Sequence, residues 1–146
     1  MKQNVVTFDE KVRFTAIIIL SLLSIARGGY WLYNGDSASN DSELYKELAD
    51  VAPLGIWGII FIIGGAILLL SNLYILNAKK KRIFYIMFII GTGILAVGYL
   101  VVGMASVQNS INWLTPAHNT IFFVGFSALF LLGCKELWKS QKYKEI

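Results

Sequence analysis

The chain has 146 residues, enough for one ordinary domain, yet 56% of them are hydrophobic and only 15% are charged. A soluble domain carries roughly a quarter charged residues, so this composition, with a mean hydropathy of +0.62, argues against water as the main solvent. The net charge of +4 comes from 13 Lys and Arg against 9 Asp and Glu, and the single cysteine excludes an intramolecular disulfide.

Lys2, Lys11 and Arg13 precede the first apolar run, "FTAIIILSLLSIARGGYWLY" at residues 14–33, which is broken only by Arg27. A helix needs about 20 residues at about 1.5 Å rise each to cross a hydrocarbon core of roughly 30 Å, and this run has that length. Ser24-Ile25-Ala26 has the small-x-small form of a signal-cleavage site, but Asp9 and Glu10 do not suit a leader, so the span is expected to be retained. A charge such as Arg27 costs about 2.5 to 3.5 kcal/mol at the bilayer centre. Arg27 is expected to snorkel towards Tyr33 or to pair with an acid such as Glu47 or Asp50. The functional alternative is an anion contact or the polar element of a pore.

Residues 34–50, "NGDSASNDSELYKELAD", are the longest polar stretch and form an acidic outer loop carrying Asp36, Asp41, Glu43, Glu47 and Asp50. Asn34-Gly35 is a turn signal, and "SELYKELAD" suits a short surface helix capped by Ser42, with Leu44, Leu48 and Val51 on one face. These carboxylates lack the fixed spacing of a calcium loop, so a cation site or a docking point for a cationic partner is the weaker reading.

The second run, residues 51–76, and the third, residues 83–107, contain no charge. A buried helix of a soluble bundle keeps a polar face, and these two have none. Between them lies a basic turn at residues 77–82 with Lys79, Lys80, Lys81 and Arg82 side by side. The turn lacks the interleaved aromatics of a single-strand binder and lies flush against two spans, so no nucleic-acid partner is expected. The fourth apolar run, residues 119–134, is the shortest; with its flanks it makes a span at residues 117–137 that leads into a basic tail at 135–146 with Lys135, Lys139, Lys142 and Lys144.

Lys and Arg thus concentrate before span one, between spans two and three, and after span four, whereas the other two connections hold only Lys46. Short basic loops stay on the cytoplasmic side. The pattern predicts an all-α integral protein of the cytoplasmic (inner) membrane, with four transmembrane helices as two tandem hairpins and both termini inside. Lys79, Lys80, Lys81 and Arg82 act as topology anchors and touch anionic headgroups of the lipid bilayer.

A weak internal repeat supports the hairpins. "GGYWLYNG" from Gly28 and "VGYLVVGM" from Val97 each precede an outer loop and then a proline, Pro53 or Pro116, at the next helix start, where a missing N–H costs nothing. Lipid tails give no hydrophobic drive for helix association, so packing falls to small residues and a few hydrogen bonds. Seven-residue spacings offer a seam of Ser21 and Gly28, then Gly58, Gly65 and Asn72, then Gly91, Gly98 and Ala105. Trp31, Trp57, Trp113 and Trp138 are expected near the interfaces as an aromatic belt.

His118 is the only histidine and Cys134 the only cysteine. One imidazole without clustered carboxylates or thiols makes no metal site. No nucleotide loop, HExxH or serine elbow occurs, so neither an enzyme nor a cofactor is expected.

"GYWLYNG" at 29–35, "PLGIWGIIFIIGGAILLL" at 53–70 and "TPAHNTIFFVGFSALFLLG" at 115–133 together resemble small four-span membrane proteins of Gram-positive bacteriophages, some labelled holin-like. The resemblance implies a non-enzymatic protein that forms a homo-oligomer in the cytoplasmic membrane, to permeabilise it or to modify the host surface. Four spans is more than most holins have. The alternative expectation is an accessory or regulatory subunit that docks on a larger membrane protein partner.

Overall fold

In the computed structural model, residues 7–74, 80–109 and 112–142 are described. They are helical almost throughout: α1 (Phe8–Asp41), α2 (Glu43–Val51), α3 (Leu54–Ser71) with a short 3-10 turn (Asn72–Tyr74), α4 (Lys81–Asn109) and α5 (Leu114–Lys142). Four of these helices, α1, α3, α4 and α5, are long and apolar enough to cross a membrane.

Local chemistry fixes where the helices begin. Thr7 caps α1 in a reciprocal box: its hydroxyl accepts from the Glu10 N–H at 3.3 Å, and its own N–H donates to the Glu10 carboxylate at 2.9 Å. This satisfies two of the backbone donors that a helix start leaves unpaired. Pro53 occupies the N-cap of α3, where no N–H is needed. Asn112 Oδ1 accepts from the N–H groups of Leu114 and Thr115 at 3.1 and 3.4 Å, and Pro116 follows in the first turn of α5.

The long helices pack in chain order, α1 on α3, α3 on α4 and α4 on α5, while α1 and α5 scarcely meet. Neighbours run antiparallel. Gly28 lies against Gly58 and Ser21 against Gly65; Phe61 lies against Gly98 and Leu68 against Gly91; Asn119 lies against Gly103 and Phe88 against Gly133. Half of the α4 apolar stretch is buried, 50% against 11% for α5, so α4 is the central helix and α5 the peripheral one.

Polar side chains turn inward and large apolar ones outward. Ser21, Ser24, Ser71, Thr92, Ser106 and Asn119 are fully buried, whereas Ile19, Leu22, Ile59, Ile63, Val97 and Leu131 are exposed. Water would penalise so much exposed apolar surface; hydrocarbon does not. The buried hydroxyls are satisfied inside their own helices: Ser21 donates to Ile17 O at 2.7 Å, Ser24 to Leu20 O at 2.9 Å, Thr92 to Phe88 O at 2.7 Å and Ser106 to Gly103 O at 2.7 Å. Such back-bonding leaves little for cross-helix contact.

The stretch read as an acidic loop is different in the structure. α1 continues through it to Asp41 with non-helical torsions only at Asn34 (φ −119°, ψ 15°), so the Asn-Gly signal bends the helix without ending it. α2 then folds back over the end of the bundle. Leu44 and Leu48 are buried there, but Val51, on the same face at the last position of the helix, is 74% exposed. Ser42 holds the N-cap position of α2 without a side-chain hydrogen bond. The acidic side chains Glu43, Glu47 and Asp50 remain exposed.

Within the basic turn, Lys80, Lys81 and Arg82 are exposed where α4 begins, and Lys80 Nζ lies 5.4 Å from the centre of the Tyr74 ring. Lys79 lies outside the described residues, as do Lys2, Lys144 and the close of the second predicted span.

Candidate functional site

Arg27 sits where all four long helices converge. Its guanidinium lies 5.3 Å from the ring centre of Trp31 on α1, 5.9 Å from Phe61 on α3 and 5.1 Å from Tyr99 on α4. Nη1 donates to Asn119 Oδ1 on α5 at 2.9 Å. Ring faces carry negative quadrupole density that attracts a cation, which offsets part of the desolvation of a charge in this setting.

The rings form a connected set. Trp31 meets Phe61 edge-on at 5.3 Å, Phe61 meets Tyr99 edge-on at 4.9 Å, and Tyr99 stacks on Phe122 and Phe126 at 4.9 and 5.5 Å. α2 closes this layer from one end. Tyr45 packs edge-on against Trp31 at 5.9 Å, and Trp57 Nε1 donates to Leu48 O at 3.2 Å. His118 stands beside the layer, 4.6 Å from Phe122.

This geometry corrects two expectations. Arg27 does not pair with Glu47 or Asp50; among the described residues the one ion pair is Lys139 with Glu136 at 2.8 Å. Trp31 is not an interfacial residue but a fully buried one, whereas Trp113 and Trp138 are 78% and 68% exposed. α2 covers Trp31, against which Tyr45 packs edge-on, whereas Arg27 is half-buried.

The site carries more donors than acceptors. Asn119 Nδ2 and Trp31 Nε1 are sealed from solvent and have no hydrogen-bond partner. Arg27 offers five N–H donors and uses one on Asn119. A cation with spare donors and no carboxylate beside it is arranged to receive an anionic oxygen. Among the described residues no three of His, Cys, Asp and Glu come together; Cys134 is half-buried on α5.

The small residues read as a seam lie at close helix crossings within the chain. A Cβ on Gly28 would stand 2.5 Å from Gly58 O, and one on Gly58 would stand 2.6 Å from Gly28 O. A Cβ on Gly65 would meet Ser21 O at 2.9 Å, one on Gly91 would meet Leu68 N at 2.9 Å, and one on Gly98 would meet the Phe61 ring at 2.9 Å. Asn72 is buried, and its Nδ2 donates to Phe14 O across α1 and α3 at 3.4 Å. Ala105 is half-buried against the core.

Sequence reasoning missed Asn119, Phe61 and Tyr99. The first hides in the polar string "TPAHNT", which reads as an interfacial helix start, and the two aromatics look like ordinary membrane-helix residues. Comparison with known proteins adds no neighbour: no protein family, no curated protein and no solved structure matches the chain.

Proposed function

We propose that this chain is a non-enzymatic multi-pass protein of the cytoplasmic membrane, with both termini inside, acting as an accessory or regulatory binding subunit. The carrying observation is the inward direction of its polarity. A lesion-forming assembly of the holin-like kind needs a polar helix face that lines water and a free small-residue face that packs against other copies. Here Ser21, Ser24, Ser71, Thr92 and Ser106 are buried and back-bonded. Gly28, Gly58, Gly65, Gly91 and Gly98 lie against neighbouring helices of the same chain.

Inducible expression with a potential-sensitive dye and a membrane-impermeant DNA stain tests this reading. Growth, membrane potential and dye exclusion are expected to persist at full expression. Abrupt depolarisation with stain uptake would replace the binding-subunit reading with the lesion-forming one.

A further inference from the structure

An apolar groove runs between α1 and α5 on the face of α1 that carries Arg27, without Arg27 in its wall. α1 packs on α3, and α5 packs on α4, but α1 and α5 scarcely meet, and two cavities of about 210 and 360 Å³ lie between them. Leu20 and Leu129 line both, so the two adjoin. The first also has Phe122, Gly125 and Phe126 in its wall; the second runs on past Ile17 and Phe88 to Arg13 and Glu136. Leu20 precedes Arg27 by two helical turns and so shares its face, about 10 Å away along the axis. On α5, Asn119, Phe122, Phe126 and Leu129 recur at three- and four-residue steps on one face. The Arg27–Asn119 hydrogen bond therefore joins the two helices about one turn of α5 beyond Phe122 of the first cavity.

We propose that this groove binds one anionic membrane lipid, with a headgroup phosphate oxygen on Arg27 and an acyl tail between α1 and α5. Three observations select that occupant. Arg27 lacks a counter-anion among the described residues, and a guanidinium pairs well with phosphate oxygens. Asn119 Nδ2, sealed beside it, has no acceptor, and an oxygen held by Arg27 supplies one once the amide turns. The walls towards Arg27 are apolar, with Leu20, Phe122, Gly125 and Phe126, and volumes of about 210 and 360 Å³ suit an acyl chain and not a helix about 10–12 Å across with its side chains. The inference rests on the chain being a membrane-embedded binding protein, as proposed above.

Gly125 provides a test that leaves the charge alone. It lines the groove, and a Cβ there would meet nothing within 4 Å, so Gly125→Leu fills the tail position without displacing protein atoms. Gly29 is equally open but lines neither cavity, so Gly29→Leu is the control. The purified full chain in detergent is titrated by native mass spectrometry with dipalmitoyl phosphatidylglycerol, with dipalmitoylglycerol, which has the same tails and no phosphate, and with inorganic phosphate. One phosphatidylglycerol per chain is expected, bound about tenfold more tightly than dipalmitoylglycerol, as a charge-assisted contact of about 1.4 kcal/mol would give. Gly125→Leu should weaken it about tenfold, Gly29→Leu should not, and Arg27→Gln should erase the headgroup preference. Equal affinity for the two lipids, a Gly125→Leu variant that binds as the parent does, or phosphate displacing the lipid completely would overturn the proposal. Depolarised cells in the expression experiment would instead sink the binding-subunit reading, whatever the lipid titration shows.

Discussion

Arg27 gains three ring faces and one hydrogen bond but no carboxylate, and this determines what its replacement should do. Asn119→Leu removes the only side-chain acceptor that the structure gives the guanidinium. Cross-helix hydrogen bonds in membranes average about 0.6 kcal/mol and reach about 1.7, while a charged donor left unpaired adds a desolvation cost, so a loss of about 1–2 kcal/mol is expected. The double variant Arg27→Leu/Asn119→Leu removes both polar groups. By the logic of buried ion pairs, apolar replacement on both sides is neutral or stabilising. Thermal unfolding in detergent should therefore rank Asn119→Leu below the parent and the double variant at or above it. A double variant less stable than Asn119→Leu would mean that the pair holds the fold together, not that it is kept for binding. The sequence made Arg27 conspicuous as the lone charge in a span. It hid the partner, because Asn119 lies 92 positions away and nothing local distinguishes it from its polar neighbours.

At the scale of the helix, adjacent glycines differ sharply. Gly28 and Gly58 bring the α1 and α3 backbones together, and a Cβ at Gly28 would stand 2.5 Å from a carbonyl oxygen that cannot swing aside. Gly29, the next residue, faces open space. Gly28→Ala should cost about 1–3 kcal/mol, the usual range for overpacking. Gly29→Ala should gain up to about 0.5–1 kcal/mol from helix propensity alone. Melting temperatures of the two variants in one detergent check the contrast, and equal values would mean that α1 and α3 are further apart than described. Gly58→Leu with Gly65→Leu belongs to the same class, with its first effect on the fold of one chain and not on association between chains. The four apolar runs were legible because hydrocarbon length is a coarse and reliable filter. The course of residues 34–50 was not. An Asn-Gly pair and five acidic residues look like a loop, whereas Leu44, Leu48 and the Leu48 carbonyl that receives Trp57 supply the tertiary contacts that keep this stretch helical.

For the molecule as a whole, the charges and the groove share an axis. Arg13, Phe84 and Glu136 line one cavity, so the starts of α1 and α4 and the close of α5 gather at one end of the bundle, while α2 roofs the other. That first end carries Lys11, Arg13, Lys80, Lys81, Arg82, Lys135 and Lys139, and in the topology proposed above this basic end is the cytoplasmic one. In that orientation Arg27 lies towards the outer leaflet, with the apolar groove running inward from it, as a lipid with its headgroup outward and its tail towards the midplane requires. Cysteine labelling fixes the sign. In a Cys134→Ala background, Ser37→Cys and Gln108→Cys should react with a membrane-impermeant maleimide on intact cells, while Arg82→Cys and Gln141→Cys should react only after permeabilisation. The reverse pattern would put Arg27 near the inner leaflet and make the groove a site for inner-leaflet lipid, leaving its chemistry unchanged but exchanging the pool of headgroups it can meet.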